Sequence, residues 1–196
     1  MKFGFFGGSF DPIHFGHLNL AIRLAEIHQL DRVFFSPASL SPDKKETPPG
    51  ATAQQRLAMV ELAIQSLPHF VLWEGELRNE GLSYTIDALL QLQQTHPHDQ
   101  FHLLLGEDLL SRLFEWKESD RLLEIAPPLI GTRSLSQSYV LNESIRKGLT
   151  QVPLLDITST EIRERIKKRL NCQCLVPANV LDYINANKLY SYRYEK

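Results

Sequence analysis

The chain has 196 residues, 43% of them apolar and 22% charged. That length is about 1.3 common domain lengths, so one domain is expected, burying roughly 70% of its unfolded surface. Apolar residues run along the whole chain, which excludes disorder as the dominant state. A net charge of −2, from 21 Lys+Arg against 23 Asp+Glu, excludes a general nucleic-acid binder, which needs a basic stripe or face. Cys172 and Cys174 stand one residue apart, a poor spacing for an unstrained disulfide and without partners for zinc. They are read as free thiols of a reduced, cytoplasmic protein. No apolar run nears the roughly 20 residues of a membrane span, and the N-terminus lacks the layout of a signal peptide.

In chain order, residues 2–6 are a short apolar run stopping at Gly7-Gly8, the pattern of a buried strand entering a tight turn. Helical periodicity follows over 15–29, with Leu18, Ala21, Ile22 and Ala25 on one face. Residues 32–37 read as a second strand. Residues 39–50, with three prolines, two lysines and a glycine, read as a loop of lid or binding length. A helix is predicted over 52–67, a strand over 70–73, and a helix over 84–95 with Ser83 as its N-cap. A strand over 101–105 ends at Gly106. Helices are predicted over 107–114 and 119–125, a strand over 128–131 and a helix over 133–148. The last strand is placed at 152–156. Helices over 159–170 and 177–187 close the chain, the second with Pro177 in its first turn.

Strands alternating with helices predict an α/β fold: a three-layer, Rossmann-like, doubly wound parallel sheet with a small helical C-terminal part. One domain is expected over 1–196, its α/β core at 1–156 and its helical part at 157–196. Ligands of such sheets sit at the carboxyl ends of the strands.

Residues 7–18 read Gly-Gly-Ser-Phe-Asp-Pro-Ile-His-Phe-Gly-His-Leu. Gly7 and Gly8 allow a backbone to close on a ligand, with Ser9 and Phe10 next in the turn. His14 and His17 share one face at a helix start, where free N–H groups and partial positive charge suit a phosphate. The spacing is not the Gly-x-Gly-x-x-Gly dinucleotide fingerprint, and a P-loop's Gly-Lys-Ser/Thr ending is absent. Asp11 stands where a nucleophile elbow has its second glycine, and no nearby third ligand accompanies the histidines for zinc. A phosphate site is the reading kept. Near the C-terminus, Ile157-Thr158-Ser159-Thr160-Glu161-Ile162-Arg163 sets Ser159 and Thr160 as caps of a helix with a guanidinium one turn later, a second anion cradle.

His14-Phe15-Gly16-His17 resembles the His-x-Gly-His signature of the nucleotidylyltransferase superfamily, and Ser159-Thr160 with Arg163 resembles its second motif. Members join a nucleotide to a phosphorylated acceptor and release pyrophosphate. Residues 82–89 (Leu-Ser-Tyr-Thr-Ile-Asp-Ala-Leu), Gly106-Glu107-Asp108-Leu109 and Leu113-Phe114-Glu115-Trp116 are similar to the bacterial nicotinate mononucleotide adenylyltransferases. So is the tail, with Leu175-Val176-Pro177, Val180, Tyr183-Ile184 and Leu189-Tyr190. The resemblance spans residues 3–190. It implies transfer of AMP from ATP to nicotinate mononucleotide, giving nicotinic acid adenine dinucleotide and pyrophosphate in NAD biosynthesis.

By that resemblance His14 and His17 are catalytic. Gly7, Gly8, Ser9, Phe10, Gly106, Asp108, Arg133, Ser159, Thr160 and Arg163 are expected to bind ATP, with Mg²⁺ held by phosphates rather than by protein. Lys44, Tyr84, Thr85, Trp116 and Lys117 are expected to bind the acceptor. Trp116 lies in a polar stretch, suited to stacking on a pyridinium ring, while the backbone near Thr85 and at Lys117 helps hold the nicotinate. Asp108 would accept from ribose hydroxyls. One stretch departs from the family: its loop Pro-Pro-His-Lys reads Ser41-Pro42-Asp43-Lys44 here. Asp43 would repel a nearby phosphate, leaving Lys44 and Lys45 to reach it. Arg56, Met59 and Trp73 are read as structural. The expected partners are ATP and nicotinate mononucleotide, with no nucleic acid and no membrane; homo-oligomerisation is left open. Two alternatives are carried: a related transferase using nicotinamide mononucleotide or a phosphorylated alcohol, and a non-catalytic nucleotide sensor, which the presence of both histidines disfavours.

Overall fold

Alternation along the strands decides which side chain meets which layer. Phe6, Val33, Phe35, Leu104 and Leu129 point into one buried cluster, together with residues of the N-terminal and C-terminal helices. Phe3, Phe5, Phe34, Phe101, Leu103, Leu105 and Ile130 point into a second cluster on the opposite side. Both faces of the strands are therefore covered, and the strands read as continuous apolar runs, as buried parallel strands do.

The computed structural model describes residues 1–40, 46–78, 82–135 and 143–191. Its strands are β1 (Lys2–Gly8), β2 (Arg32–Pro37), β3 (Phe70–Leu72), β4 (Gln100–Gly106), β5 (Pro128–Thr132) and β6 (Leu149–Gln151). All five pairings are parallel, in the order β3-β2-β1-β4-β5-β6. The helices are α1 (Phe15–His28), α2 (Ala53–Ile64), α3 (Thr85–Thr95), α4 (Ser119–Ile125), α5 (Glu143–Gly148), α6 (Ser159–Lys167) and α7 (Ala178–Ala186). From β1 the chain winds outward through β2 and β3, then returns to lay β4 on the other side of β1. That reversal opens a crevice at the carboxyl ends of β1 and β4, the usual ligand position of a doubly wound sheet. The Rossmann-like α/β fold expected from the pattern is the fold found.

Several local expectations are corrected. The last strand is β6, at Leu149–Gln151, not 152–156. Val152 N still donates to Thr132 O at 2.9 Å, but Pro153 has no N–H to extend the ladder. Residues 107–114 are helical as expected, within a 3₁₀ helix, Glu107–Glu115. Of the helix placed over 133–148, only α5 is seen; 136–142 lie outside the described residues. Ser83 does not cap α3. Tyr84 holds that position without a side-chain cap, and Ser83 Oγ instead accepts from Ser39 N at 2.9 Å. Thr158, not Ser159 or Thr160, caps α6, and Pro177 is the N-cap of α7 rather than inside its first turn. The buried stripe of α1 is Leu18, Leu20, Ala21 and Leu24; Ile22 and Ala25 are half-buried.

Arg56 is structural, as read. It is 1% exposed, and its guanidinium donates to Ser9 O at 2.7 Å, Ser39 O at 2.8 Å and Ala51 O at 3.4 Å. It thereby joins the turn after β1 to both ends of the 39–50 loop. Met59 is fully buried, and Trp73 packs edge-on against Phe5.

Candidate active site

After β1 the chain must turn sharply across the sheet end. Phe10 accomplishes this at φ 47°, a left-handed conformation costing a bulky residue about 1–3 kcal/mol. Burial of its ring against Phe6, Phe35 and His17 offsets that cost. The turn delivers His14 to the N-cap of α1 and His17 to its third helical position.

Each imidazole there caps the other's backbone. His14 Nδ1 accepts from His17 N at 3.4 Å, and His17 Nδ1 accepts from His14 N at 3.3 Å. This is a reciprocal capping box in which two imidazoles replace the usual hydroxyl and carboxylate. The rings stack with centroids 3.7 Å apart. With both Nδ1 atoms accepting, the neutral rings must carry their protons on Nε2. Burial lowers the pKa of His14 to about 4. Burial, with His14 beside it, holds His17 well below the usual imidazole range. At neutral pH the pair is therefore uncharged and offers two Nε2–H donors. The glycine between them is required by space: a Cβ on Gly16 would lie 2.9 Å from the His14 ring.

The start of α6 docks directly on this turn. Ser159 Oγ donates to Pro12 O at 2.9 Å, and Arg163 Nη1 donates to Asp11 O at 2.8 Å. Arg163 Nη2 donates to Thr160 Oγ1 at 3.1 Å, and Thr158 Oγ1 accepts from Glu161 N at 3.1 Å. Two helix N-termini, widely separated in sequence, thus meet at the end of β1. A cavity of about 1100 Å³ opens there. Gly7, Gly8, Ser9, Phe10, His17, Ser159, Thr160 and Arg163 line it at one end. His14 lies one ring behind His17 and is 5% exposed.

The same cavity is lined by Tyr84, Thr85, Gly106, Asp108, Trp116 and Lys117. Gly106 has no Cβ where one would strike the Asp108 carboxylate. Lys117 Nζ donates to both oxygens of Asp87, at 3.1 and 3.0 Å, and sits 4.7 Å from the centre of the Tyr84 ring. Those contacts tie the segment after Trp116 to the start of α3. Thr85 and Ile86 open that helix into the cavity with no side chain capping it.

Two expected residues are not brought in. Arg133 follows β5 but pairs with exposed Asp156 at 3.1 Å and does not line the cavity. Lys44, with Asp43 and Lys45, lies outside the described residues. Asp11, Tyr190 and Glu76 also line the cavity and are outside the expected site residues. Glu76 is 7% exposed and accepts from Ser36 Oγ. Burial pushes its carboxyl up, opposed by hydrogen bonds from Ser36 and Ser83 and by Arg56. Tyr190 carried a signal, through the tail resemblance; nothing local separates Glu76 from Glu74. Cys172 and Cys174 are free thiols, one buried and one exposed. Among the described residues, no cluster of three or more His, Cys, Asp or Glu could hold a metal, and no helix is long and apolar enough to cross a membrane.

Residues 5–165 match the cytidylyltransferase-like family. The chain is 39% identical to a probable nicotinate-nucleotide adenylyltransferase of Dictyoglomus thermophilum, over 97% of this chain and 100% of that one. It is 36% identical to one of Methylacidiphilum infernorum, over 96% and 92%. In fold it is similar to Plasmodium falciparum nicotinic acid mononucleotide adenylyltransferase complexed with NaAD, with a TM-score of 0.76 and 23% identity over 96% and 97% of the two chains. The likeness read in the His-x-Gly-His turn, the start of α6 and the tail thus extends over nearly the whole sequence, and the chain belongs to the nicotinate-nucleotide adenylyltransferases of the cytidylyltransferase-like family.

Proposed function

We propose that this protein transfers AMP from ATP to nicotinate mononucleotide, forming nicotinic acid adenine dinucleotide and pyrophosphate in NAD biosynthesis. One observation carries the reading: two helix starts that meet at the end of β1 and a tryptophan beside a third, uncapped helix start line a single cavity. Its volume exceeds the roughly 300–1000 Å³ of sites for one drug-sized ligand, leaving room for two nucleotides.

The acceptor's own phosphate attacks the α-phosphorus in line, so no protein nucleophile is needed; catalysis is positioning and charge stabilisation. His17, with His14 stacked behind it, directs Nε2–H donors at the α- and β-phosphates, joined by the backbone of Gly7, Gly8, Ser9 and Phe10. Ser159, Thr160 and Arg163 hold the departing pyrophosphate. Mg²⁺ enters with ATP as part of the substrate and neutralises phosphate charge. The donors at this end are hydroxyl, imidazole, N–H and guanidinium groups, and the Asp11 carboxylate already accepts from three donors. That set fits an ion held by phosphate oxygens. Gly106 and Asp108 serve the ribose, and Arg133, paired with Asp156 outside the cavity lining, is given no part.

Trp116 stacks on the pyridinium ring, and the open start of α3 at Tyr84 and Thr85 receives the nicotinate carboxylate, favoured there by the partial positive charge of a helix N-terminus. Lys117 holds the two sides together, and Lys44 is assigned to the acceptor phosphate. The test is pyrophosphate release from MgATP with and without nicotinate mononucleotide. Release that requires the acceptor, with equimolar dinucleotide formed, is expected. Binding of ATP with no release would make the protein a sensor instead.

A further inference from the structure

The Asp11 carboxylate is 5% exposed, yet the reaction above gives it nothing to do. Its oxygens are the meeting point of four chain segments. Oδ1 accepts from the Tyr190 hydroxyl at 2.7 Å and from Ala51 N at 3.1 Å. Oδ2 accepts from Gly50 N at 2.8 Å and lies 3.7 Å from Arg163 Nη1, which itself donates to the Asp11 carbonyl. The Tyr190 ring covers Gly50 so closely that a Cβ there would lie 3.2 Å from it, and 3.8 Å from the Arg163 stem. Tyr190, Asp11, Gly50 and Arg163 all border the cavity.

From this geometry we infer that Asp11 and Tyr190 are positioning residues for the pyrophosphate end of the site, acting through Arg163. Asp11 orients the guanidinium by its carbonyl and its carboxylate. Tyr190, reaching back from the end of the chain, fixes the carboxylate, while Gly50 and Ala51 bind the end of the 39–50 loop to the same point. Burial, with the Asp11 carboxylate beside it, raises the Tyr190 phenol far above its usual range, so it remains a donor at every working pH. Without that hydroxyl, Oδ1 keeps one backbone donor, and the carboxylate beside Arg163 is held less firmly in place. A guanidinium free to sample other rotamers must be ordered anew each time ATP binds.

This inference rests on the assignment of Arg163 to the outgoing phosphates, and a double-mutant cycle separates the two. Steady-state kinetics and pyrophosphate inhibition are measured for Tyr190→Phe, Arg163→Ala and the double variant, with thermal melting as a folding control. Tyr190→Phe is expected to lower kcat/KM for ATP about fivefold, the net scale of one hydrogen bond and less than the loss from removing Arg163 itself. Pyrophosphate inhibition should weaken in parallel, while KM for the acceptor stays within about twofold. In the Arg163→Ala background the same substitution should cost almost nothing. Equal losses in both backgrounds, or a loss confined to the acceptor KM, would overturn the inference. A normal kcat/KM for ATP in Arg163→Ala alone would instead overturn the assignment of Arg163. Asp11→Asn supplies a second route: it keeps an acceptor for Tyr190 but removes the charge, and should reproduce the ATP-selective loss. An Asp11→Asn protein that folds and binds ATP normally would contradict the role given to Asp11.

Discussion

In the proposed reaction, the two helix starts that meet at the end of β1 do the same job with opposite chemistry. At α1 the donors are stacked and neutral, His14 buried and His17 half-buried at the cavity wall, and each imidazole is held by the other's backbone N–H. At α6 a conventional threonine cap supports a partly exposed arginine, 26% accessible and charged. A buried donor cannot carry charge cheaply, so α1 contributes direction; an accessible guanidinium can, so α6 contributes charge. Transfer of a nucleotidyl group needs both: fixed donors where the reacting phosphate sits, and a cation where the leaving pyrophosphate gathers charge.

Breaking the α1 side should cost most. His17→Ala removes a preorganised donor and is expected to lower kcat on the order of 10²-fold with folding intact. A near wild-type rate in steady-state assay would remove His17 from the mechanism. The neutrality of α1 has a pH signature next in size. Folded His14 titrates at about 4, while the unfolded imidazole titrates near 6.5. Between those values the unfolded chain binds more protons, so stability present above pH 6.5 is lost as pH falls. For His14 alone the loss is on the order of 2 kcal/mol by pH 5, with His17 adding in the same direction. Denaturant midpoints unchanged between pH 7 and 5 would contradict it.

The α6 side is expected to be milder. Arg163→Ala should reduce kcat/KM for ATP about tenfold, with Lys restoring only part because it lacks the planar fork. Full rescue by Lys would show that charge alone matters there. Smallest is Thr158→Ala, which removes the cap from Glu161 N and should cost about 1 kcal/mol in thermal or chemical melts. A cost several times larger would mean that the start of α6, like α1, is built into the core.

How legible each region was follows from how local its causes are. Residues 32–37 and 119–125 were bounded correctly, because an apolar run in one case and a short periodic segment in the other carry the signal within themselves. The sheet's winding could be read from alternation of strands and helices. The His14–His17 turn was legible because its signature is compressed into four residues at a strand end. By contrast β6 is a three-residue edge strand stopped by Pro153, and its identity depends on pairing with β5. Asp11 was noticed in the sequence only as a reason to reject a nucleophile elbow. Its partners Gly50 and Tyr190 lie 39 and 179 residues away, a convergence that no local pattern encodes. Glu76 is similar, being made distinctive by Ser36, Ser83 and Arg56, which reach it from other segments.

What the cavity accepts is decided by competition. Equal concentrations of nicotinate mononucleotide and its amide, offered with limiting MgATP, should give mainly the acid dinucleotide. In the proposed acceptor site, the open start of α3 beside Trp116 stabilises a carboxylate but gains little from a neutral amide; an advantage of about tenfold or more is expected if one charge-assisted hydrogen bond is at stake. A product mixture dominated by the amide dinucleotide, or no product from either, would contradict the proposed acceptor site.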